Sequence, residues 1–571
     1  MKKIIKYIGI TFIIMYTAVS CETLDLDLTQ DPNLIRVENA DPEFLLNALQ
    51  LDYHDFISNS EFIISRLTRI SPMGMSSQED GSYNAYLLNY ERTTAKGGNI
   101  LSETWKVFYV NMLRDIELLK EQARADTSGT YNFNLAVANI IEAHCASLLV
   151  DFYGDIPYSE GGNFLNIRNP KLDKGEDVYE ACFNLLNEAI AILGADPAPI
   201  NTKLTDLFYD GDATKWLKFA NSLKLRMYKN TGNTSAFNAI ISSGNFISES
   251  SDNMEFSYGA YRNAKSNRYR FDYPNTDNDP VSKSNWLMNT MQTKNDPRIR
   301  YYFYRQTGET PGIDIPANTV LLPCSDETPP GHYSGFAYCA VENGYIGRSH
   351  GSTLEPADLI TDRPGNSIAT LYGVYPFGGL FDNDRFQEAS NVNFPMIVED
   401  TGNGVLPILK ASDIDFWRGQ MASSSSEKMN FLRSAMEKHI AKVTTFISQD
   451  TSVDPMTETT IPSTTDIENY ITDITNSFAS ASGDAKEDIF AEQYFISLYG
   501  NGIEAYNYYR KTGYPTTLSP TWSTSPGTFP RSLAYPETEL NNTNIPNGNK
   551  PTSDQVFWDT NPASPTFPIA N

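Results

Sequence analysis

Residues 486–515, KEDIFAEQYFISLYGNGIEAYNYYRKTGYP, constrain the chain more than any other stretch. Ile489, Phe490, Tyr494, Phe495, Leu498 and Ile503 recur at helical spacing, which builds one apolar stripe. Glu487 and Asp488 open the run and Arg510 and Lys511 close it, each sign complementing the helix dipole. Gly513 suits a left-handed cap and Pro515 forbids continuation, so the pattern predicts one long amphipathic helix with a clean stop. Gly500 and Gly502 flank Asn501 inside it. Glycine costs about 1 kcal/mol against alanine in a helix interior, so the pair predicts a close approach of other groups to the backbone there.

A stripe of that kind needs other helices to bury it, and the sequence supplies them. Apolar residues three or four apart mark residues 44–70, 103–125, 133–153, 176–193 and 213–230, then 413–421, 427–447 and 466–478. Gly, Pro or Asn punctuates the joins, and consecutive pairs of this kind suggest a solenoid or bundle, although no strict 34-residue repeat can be written. Residues 71–99, rich in Gly, Ser, Asn and Tyr, predict a first loop. Residues 250–406 are dense in Pro, Gly, Asn and Tyr and predict a loop-rich lobe with short strands at most. A long irregular region with so many aromatic residues reads as ordered and functional. A Ser- and Thr-rich linker covers 449–465, and the Pro- and Asn-rich tail after Pro515 is expected to wrap over the helices. The expected organisation is a leader at 1–20, a tether at 21–43 and one body at 44–571, with helices at 44–249 and 407–515 and the tail at 516–571.

The N-terminus reads as an export signal: a basic start, an apolar run at 7–16, and Thr17-Ala18-Val19-Ser20 leading into Cys21. Small residues ending at a cysteine resemble a bacterial lipobox, which makes Cys21 the candidate lipidation site; an ordinary cleaved signal is the alternative. No other stretch approaches the roughly 18 apolar residues of a membrane span, so lipid on Cys21 would be the only anchor. The formal net charge is −26 over the whole sequence. Such a surface repels nucleic acid and anionic lipid and favours neutral or cationic ligands. Cys145 and Cys182 fall in helical patterns and read as small core residues. Cys324 and Cys339 flank a Pro- and Gly-containing loop, where an exported protein can carry a disulfide; spacing alone does not pair them.

Several motifs carry a resemblance. F-I-S-L-Y-G-N-G-I-E-A-Y-N-Y-Y-R-K-T-G-Y-P, followed by Phe529-Pro530-Arg531-Ser532-Leu533 and Ala534-Tyr535-Pro536, resembles the C-terminal signature of SusD/RagB-like outer-membrane lipoproteins. Gly211-Asp212-Ala213-Thr214-Lys215-Trp216 with the following KFANSLKLRMY, the corner from Asp151-Phe152-Tyr153-Gly154-Asp155 to Glu160, and Asn295-Asp296-Pro297-Arg298 are similar to further motifs of that family, in the same order. The resemblance implies a mainly α fold, a right-handed superhelix of TPR-like helix pairs with a large loop-rich lobe. It also implies a non-catalytic surface protein that captures nutrient for a SusC-like TonB-dependent barrel transporter and closes over it as a hinged lid. The helical face is the expected transporter contact, since the loop-rich lobe is assigned to ligand.

Motifs for chemistry are sparse. Gly347-Arg348-Ser349-His350-Gly351 satisfies G-x-S-x-G, but that elbow needs a strand before and a helix after, and Ser352-Thr353-Leu354-Glu355-Pro356 is poor helix sequence. A Gly-rich loop presenting Arg348 and His350 fits better than a catalytic Ser349. His54, His144, His332, His350 and His439 make no H-E-x-x-H, and no phosphate loop is present. Asp382-Asn383-Asp384 lacks the spacing of an EF-hand, so structural calcium has no motif behind it and no cofactor is expected. Aromatic residues remain. A tyrosine or tryptophan stacks on the apolar face of a sugar or holds a peptide side chain. The candidate ligand contacts are Tyr83, Tyr86 and Tyr90 in the first loop, and Trp286, Tyr345, Arg348, Tyr375 and Phe377 in the second lobe. Trp105 and Trp216 sit in amphipathic helices and read as core. The expected function is capture of an oligosaccharide, or a peptide, without catalysis. The rivals are a hydrolase of the same ligands and a helical scaffold that binds only proteins.

Overall fold

A computed structural model describes residues 41–72, 100–162, 167, 169–195, 206–259, 283–316, 322, 324, 328–352, 368–386, 402–522, 528–536, 550–564 and 566–567. Pro42–Asn571 forms one compact unit, and Met1–Asp41 is grouped apart from it. Cys21 and the expected tether as far as residue 40 lie outside the described residues, and Pro42 and Glu43, expected as its last residues, already belong to the first helix.

The architecture is mainly helical, as the periodicity predicts. Helix α1 is Pro42–Leu67, α2 is Ile100–Lys106, α3 is Leu113–Ala125, α4 is Asn132–Tyr153, α5 is Gly175–Gly194, α6 is Ala213–Thr231 and α7 is Thr234–Ser243. The second half carries α8 (Asn285–Thr293), α9 (Ile299–Tyr302), α10 (Ala411–Gln420), α11 (Ser425–Thr444), α12 (Thr464–Ser480), α13 (Asp484–Ser497) and α14 (Ile503–Thr512). Neighbours in sequence pack on one another: α4 on α5, α5 on α6, α10 on α11, α11 on α12 and α12 on α13, a superhelix of successive packed helices. Between α2 and α3, Val107–Met112 takes π geometry, where a single helix is expected. Two short antiparallel sheets complete the described fold: β1 (Met254–Ser257) with β4 (Val405–Leu409), and β2 (Phe303–Tyr304) with β3 (Leu371–Tyr372).

Local chemistry explains the boundaries. Asp212 caps α6, its carboxylate accepting from the Thr214 and Lys215 amides at 2.9 and 3.2 Å, and Gly232 ends that helix with φ of 72°. Ser463 and Asp466 form a capping box at α12. Helix α4 is long and apolar enough to span a membrane, contrary to the expectation that only the leader comes close. Its apolar window lies wholly inside the protein, so α4 is the core helix of the superhelix.

The long helix expected at 486–515 is two helices. The chain breaks between α13 and α14, at Gly500-Asn501-Gly502, because three other segments converge there. A Cβ on Gly500, whose φ is +97°, would lie 2.5 Å from the Pro376 ring, and one on Gly502 would lie 2.7 Å from Ser65 Cα. The Asn501 amide then donates to the carbonyls of Pro407 and Ile408 at 2.9 and 3.3 Å. The expected cap at Gly513 is present, with φ of 79°.

Beneath this break lies a buried charge network. Asp151 in α4 accepts from Tyr179 at 2.5 Å, Asn507 at 3.0 Å and the Trp558 indole at 2.7 Å, and it pairs with Arg226. Arg226 also pairs with Glu504 at 2.5 Å, and Lys229 reaches the same carboxylate at 2.7 Å. Burial alone would raise the Glu504 pKa, but the charges of Arg226 and Lys229 outweigh it and bring it to about 2. The tail joins the network: Arg510 donates to the Arg531 carbonyl at 2.6 Å, and Arg531 pairs with Asp559. A small cavity of about 10 Å³, enough for the centre of one water molecule, abuts Arg226, Glu504, Asn501 and His144.

Two predictions follow from this interior. Replacing Arg226 by Met leaves Asp151 and Glu504 buried without their main cation, so urea denaturation should show a loss of roughly 3–5 kcal/mol. A loss near zero would remove the network from the stability account. The second concerns pH. Desolvation, then the charge of Arg226, lowers His144 to about 3; His439 is lowered well below its ordinary value by burial and by Arg298, Lys410 and Lys442. Both stay neutral in the native state while the unfolded chain protonates near pH 6.5, so stability is full above about 6.5 and declines below it. Thermal melts between pH 7 and 5 should show a falling midpoint, as stability declines toward a limiting slope of about 1.4 kcal/mol per pH unit for each histidine, and a His439→Gln variant should have a flatter profile.

Candidate functional site

Tyr83, Tyr86 and Tyr90 lie outside the described residues. The other five sequence candidates are all buried, none more than 7% exposed. Trp286 donates its indole N–H to the Thr517 carbonyl at 2.8 Å and meets Phe495 edge-on. Tyr345 lies beneath the Arg305 guanidinium, 4.9 Å from the ring centroid. Arg348 exchanges backbone hydrogen bonds with Lys283 and Asn285 at 2.8 and 3.1 Å. Tyr375 stacks on Tyr302, Tyr302 stacks on Tyr499, and Phe377 packs on Tyr499 and Tyr372. The structure thus brings Tyr375 and Phe377 into one aromatic cluster and gives Trp286, Tyr345 and Arg348 other surroundings. Asp382 and Asp384 are taken up by Arg305 and Arg300, with Arg305 Nε at 2.6 Å from Asp382 and Arg300 at 3.0 Å from Asp384. Among the described residues no group of three or more His, Cys, Asp or Glu is placed to hold a metal.

A half-exposed aromatic surface lies elsewhere. Tyr338 and Trp522 stack with centroids 4.8 Å apart and planes 12° from parallel, and both are only partly buried. Each ring spends one face on the other. Tyr333 sits edge-on to both, at 6.1 and 6.2 Å, and Phe336 packs on Tyr333 at 6.0 Å. The exposed His332 stands at the rim, its Nε2 2.9 Å from the Thr521 carbonyl.

Both sides of this pair are anchored. Tyr338 precedes Cys339, which is disulfide-bonded to Cys324, so the pairing that spacing left open is made. Around that bridge Leu322, Ala340 and Ile346 form a small core on which Tyr338 packs. Trp522 follows a tail segment pinned at several points. The Thr516 amide and hydroxyl donate to Asp488 at 2.6 and 2.7 Å, the Thr517 hydroxyl donates to Glu492 at 2.6 Å, and Arg69 donates to the Ser519 carbonyl at 3.0 Å. Neither Tyr338 nor Trp522 was singled out from sequence. The available signals were the aromatic- and Gly-rich run GHYSGFAYC, and a tryptophan in a Pro-flanked stretch with no helical periodicity.

The G-x-S-x-G run lies directly behind this surface. Its glycines answer to packing. A Cβ on Gly347 would lie 2.3 Å from the Lys283 carbonyl, and Gly351 has φ of +77°. Ser349 Oγ accepts from the Cys339 amide at 3.3 Å and from the Asn285 amide group at 3.5 Å. Neither ring nitrogen of His350 is hydrogen-bonded, and burial with the nearby Arg69 charge keeps that ring neutral. His439 is bonded to Arg298 at 3.2 Å and to Tyr302 at 3.5 Å. A nucleophile requires a base within hydrogen-bond reach, and Ser349 is bonded to neither histidine.

Comparison with known proteins fits this picture. Residues 33–315 match a family described as "Starch-binding associating with outer membrane", and residues 421–555 match "Susd and RagB outer membrane lipoprotein". No curated protein matches the chain. Among solved structures it is similar to a chitin-binding protein at 20% identity, covering 91% of this chain and 100% of that one with a TM-score of 0.62. A SusD/RagB family protein from Bacteroides thetaiotaomicron shares 17% identity over 92% of this chain and 100% of its own, with a TM-score of 0.62. A chitin-binding SusD homologue from Flavobacterium johnsoniae shares 15% identity over 91% and 99%, with a TM-score of 0.59. Likeness at this level of identity establishes the fold.

Proposed function

The chain belongs to the SusD/RagB-like family of outer-membrane lipoproteins, and from that premise we propose that it captures an oligosaccharide at the cell surface without cleaving it. The observation that carries the reading is the half-exposed Tyr338–Trp522 stack. A pyranose ring presents a flat patch of C–H groups that an aromatic face covers well, while ring hydroxyls reach polar edges such as His332. Two similar structures are named as chitin-binding, which makes a β-linked amino-sugar chain the first cargo to test. An acidic protein of net charge −26 favours such a neutral chain over an anionic one.

The remaining roles complete the proposal. Lipid on Cys21 anchors the protein, and a SusC-like TonB-dependent barrel receives the cargo. Capture for delivery needs binding that reverses quickly, and stacking on an open surface meets that need better than enclosure. Ser349, bonded to a backbone amide and to no histidine, supports binding without hydrolysis.

The test is calorimetry of soluble protein beginning after residue 21 with N-acetylchitohexaose, alongside a glycan and peptide array, with chromatography of every mixture for cleavage products. Saturable binding without products is expected. Trp522→Ala and Tyr338→Ala should each weaken it at least about tenfold, or 1.4 kcal/mol. Cleavage products would put the hydrolase first, and a peptide-only response would replace the cargo class. Binding untouched by both substitutions would move the site elsewhere.

A further inference from the structure

We infer that the Gly-Arg-Ser-His-Gly turn at 347–351 is the clamp that sets Tyr338 against Trp522, with Ser349 as a positioning residue for the aromatic surface. This rests on the reading of that surface as the glycan site, and it gives the G-x-S-x-G pattern a role other than catalysis.

The two rings arrive on loops far apart in the chain, and ring contact alone leaves their offset and tilt soft. Hydrogen bonds from two consecutive residues of the turn remove that freedom. On one side Ser349 Oγ accepts from the amide of Cys339, the residue next to Tyr338, at 3.3 Å. On the other the His350 carbonyl accepts from the amide of Trp522 itself, at 2.7 Å. Tyr333 stands edge-on to both rings, at 6.1 and 6.2 Å. One turn therefore holds the backbone beside both rings.

A clamp must itself be fixed, and this one is. The Arg348 amide donates to the Lys283 carbonyl at 2.8 Å, and its carbonyl accepts from the Asn285 amide at 3.1 Å, a parallel bridge at the start of α8. Gly347 admits that approach because any side chain there would strike Lys283, Met288 and Asn285. The Ser352 amide closes back on the Ser349 carbonyl at 3.0 Å. Ser349 and His350 are 4% and 3% exposed, so neither touches a ligand on the outer ring faces and both act through the residues they hold. The Cys324–Cys339 bridge fixes the far end of the Tyr338 loop, with Cα atoms 5.5 Å apart, so the turn and the disulfide restrain Cys339 from two directions.

The test reads the ring pair directly. Protein labelled with 5-fluorotryptophan gives one fluorine resonance for residue 522, assigned by its loss in Trp522→Phe. Ser349→Ala should shift or broaden that resonance, Ser349→Thr should restore it because the accepting oxygen returns, and Cys324→Ser should disturb it from the other side. Affinity for N-acetylchitohexaose should fall about three- to tenfold in Ser349→Ala, the scale of one lost hydrogen bond, with the overall melt little changed. An unmoved resonance in Ser349→Ala overturns the clamp, whatever the glycan titration gives. A moved resonance in a protein whose Trp522→Ala variant binds the glycan normally leaves the clamp standing and overturns the binding reading instead.

Discussion

The buried carboxylate of Asp151 is the constraint on which the rest of the molecule depends. It lies at the end of the fully buried core helix α4, where an unpaired charge would cost several kcal/mol. Its partners come from four separate later segments: Tyr179 from α5, Arg226 from α6, Asn507 from α14 and Trp558 from the tail. Glu504 then neutralises Arg226 from its other side, and Lys229 completes the set. Ion pairs of this kind add little net stability against an apolar core of equal volume. They do discriminate, because an arrangement that misplaces α6, α14 or the tail leaves a charge unpaired in the interior. The network selects one packing of the helices.

That role explains what the recognisable motifs encode. Asp151 belongs to the Y-G-D corner, Arg226 to the KFANSLKLRMY run, Glu504, Asn507 and Arg510 to the G-N-G-I-E-A-Y-N-Y-Y-R run, and Arg531 to F-P-R. Asn295-Asp296-Pro297-Arg298 feeds a second buried cluster, where Arg298 meets Asp296, Gln493 and Tyr470. These residues touch each other across the interior. A chain can therefore declare its fold strongly while its cargo stays unwritten in the same motifs, since the Tyr338–Trp522 surface proposed to meet cargo sits outside them.

The legibility of the sequence divides along that line. Helices were readable because burial imposes a period on residues such as Phe490, Tyr494 and Phe495, and caps such as Asp212 and Gly513 are local chemistry. The break at Gly500-Asn501-Gly502 was half readable: the glycines announced a close approach, but Ser65, Pro376 and Pro407, which make it, are distant in sequence. Loop aromatics were least readable. Tyr375 and Tyr338 look alike in sequence, both in Gly- and Pro-containing loops, yet one stacks under Tyr302 and the other lies half open beside Trp522. Hydrophobic period decides inside from outside only where the backbone is regular. In loops that choice is made by tertiary contacts, here a disulfide and two hydrogen bonds from one turn.

The same division reconciles a rigid body with the release that the proposed capture function requires. The Cys324–Cys339 bridge and the Ser349–His350 turn hold the backbone beside Tyr338 and Trp522, so a ligand at that surface would find little ordering entropy left to lose. The contact itself stays shallow, because the stacked pair is only partly buried. Rigidity beneath and openness above act on different rates. Preorganisation favours association, and a small, flat, uncharged contact lets dissociation stay fast. A capture protein that hands its cargo onward needs both, and a deep pocket closed by charge pairs would supply only the first.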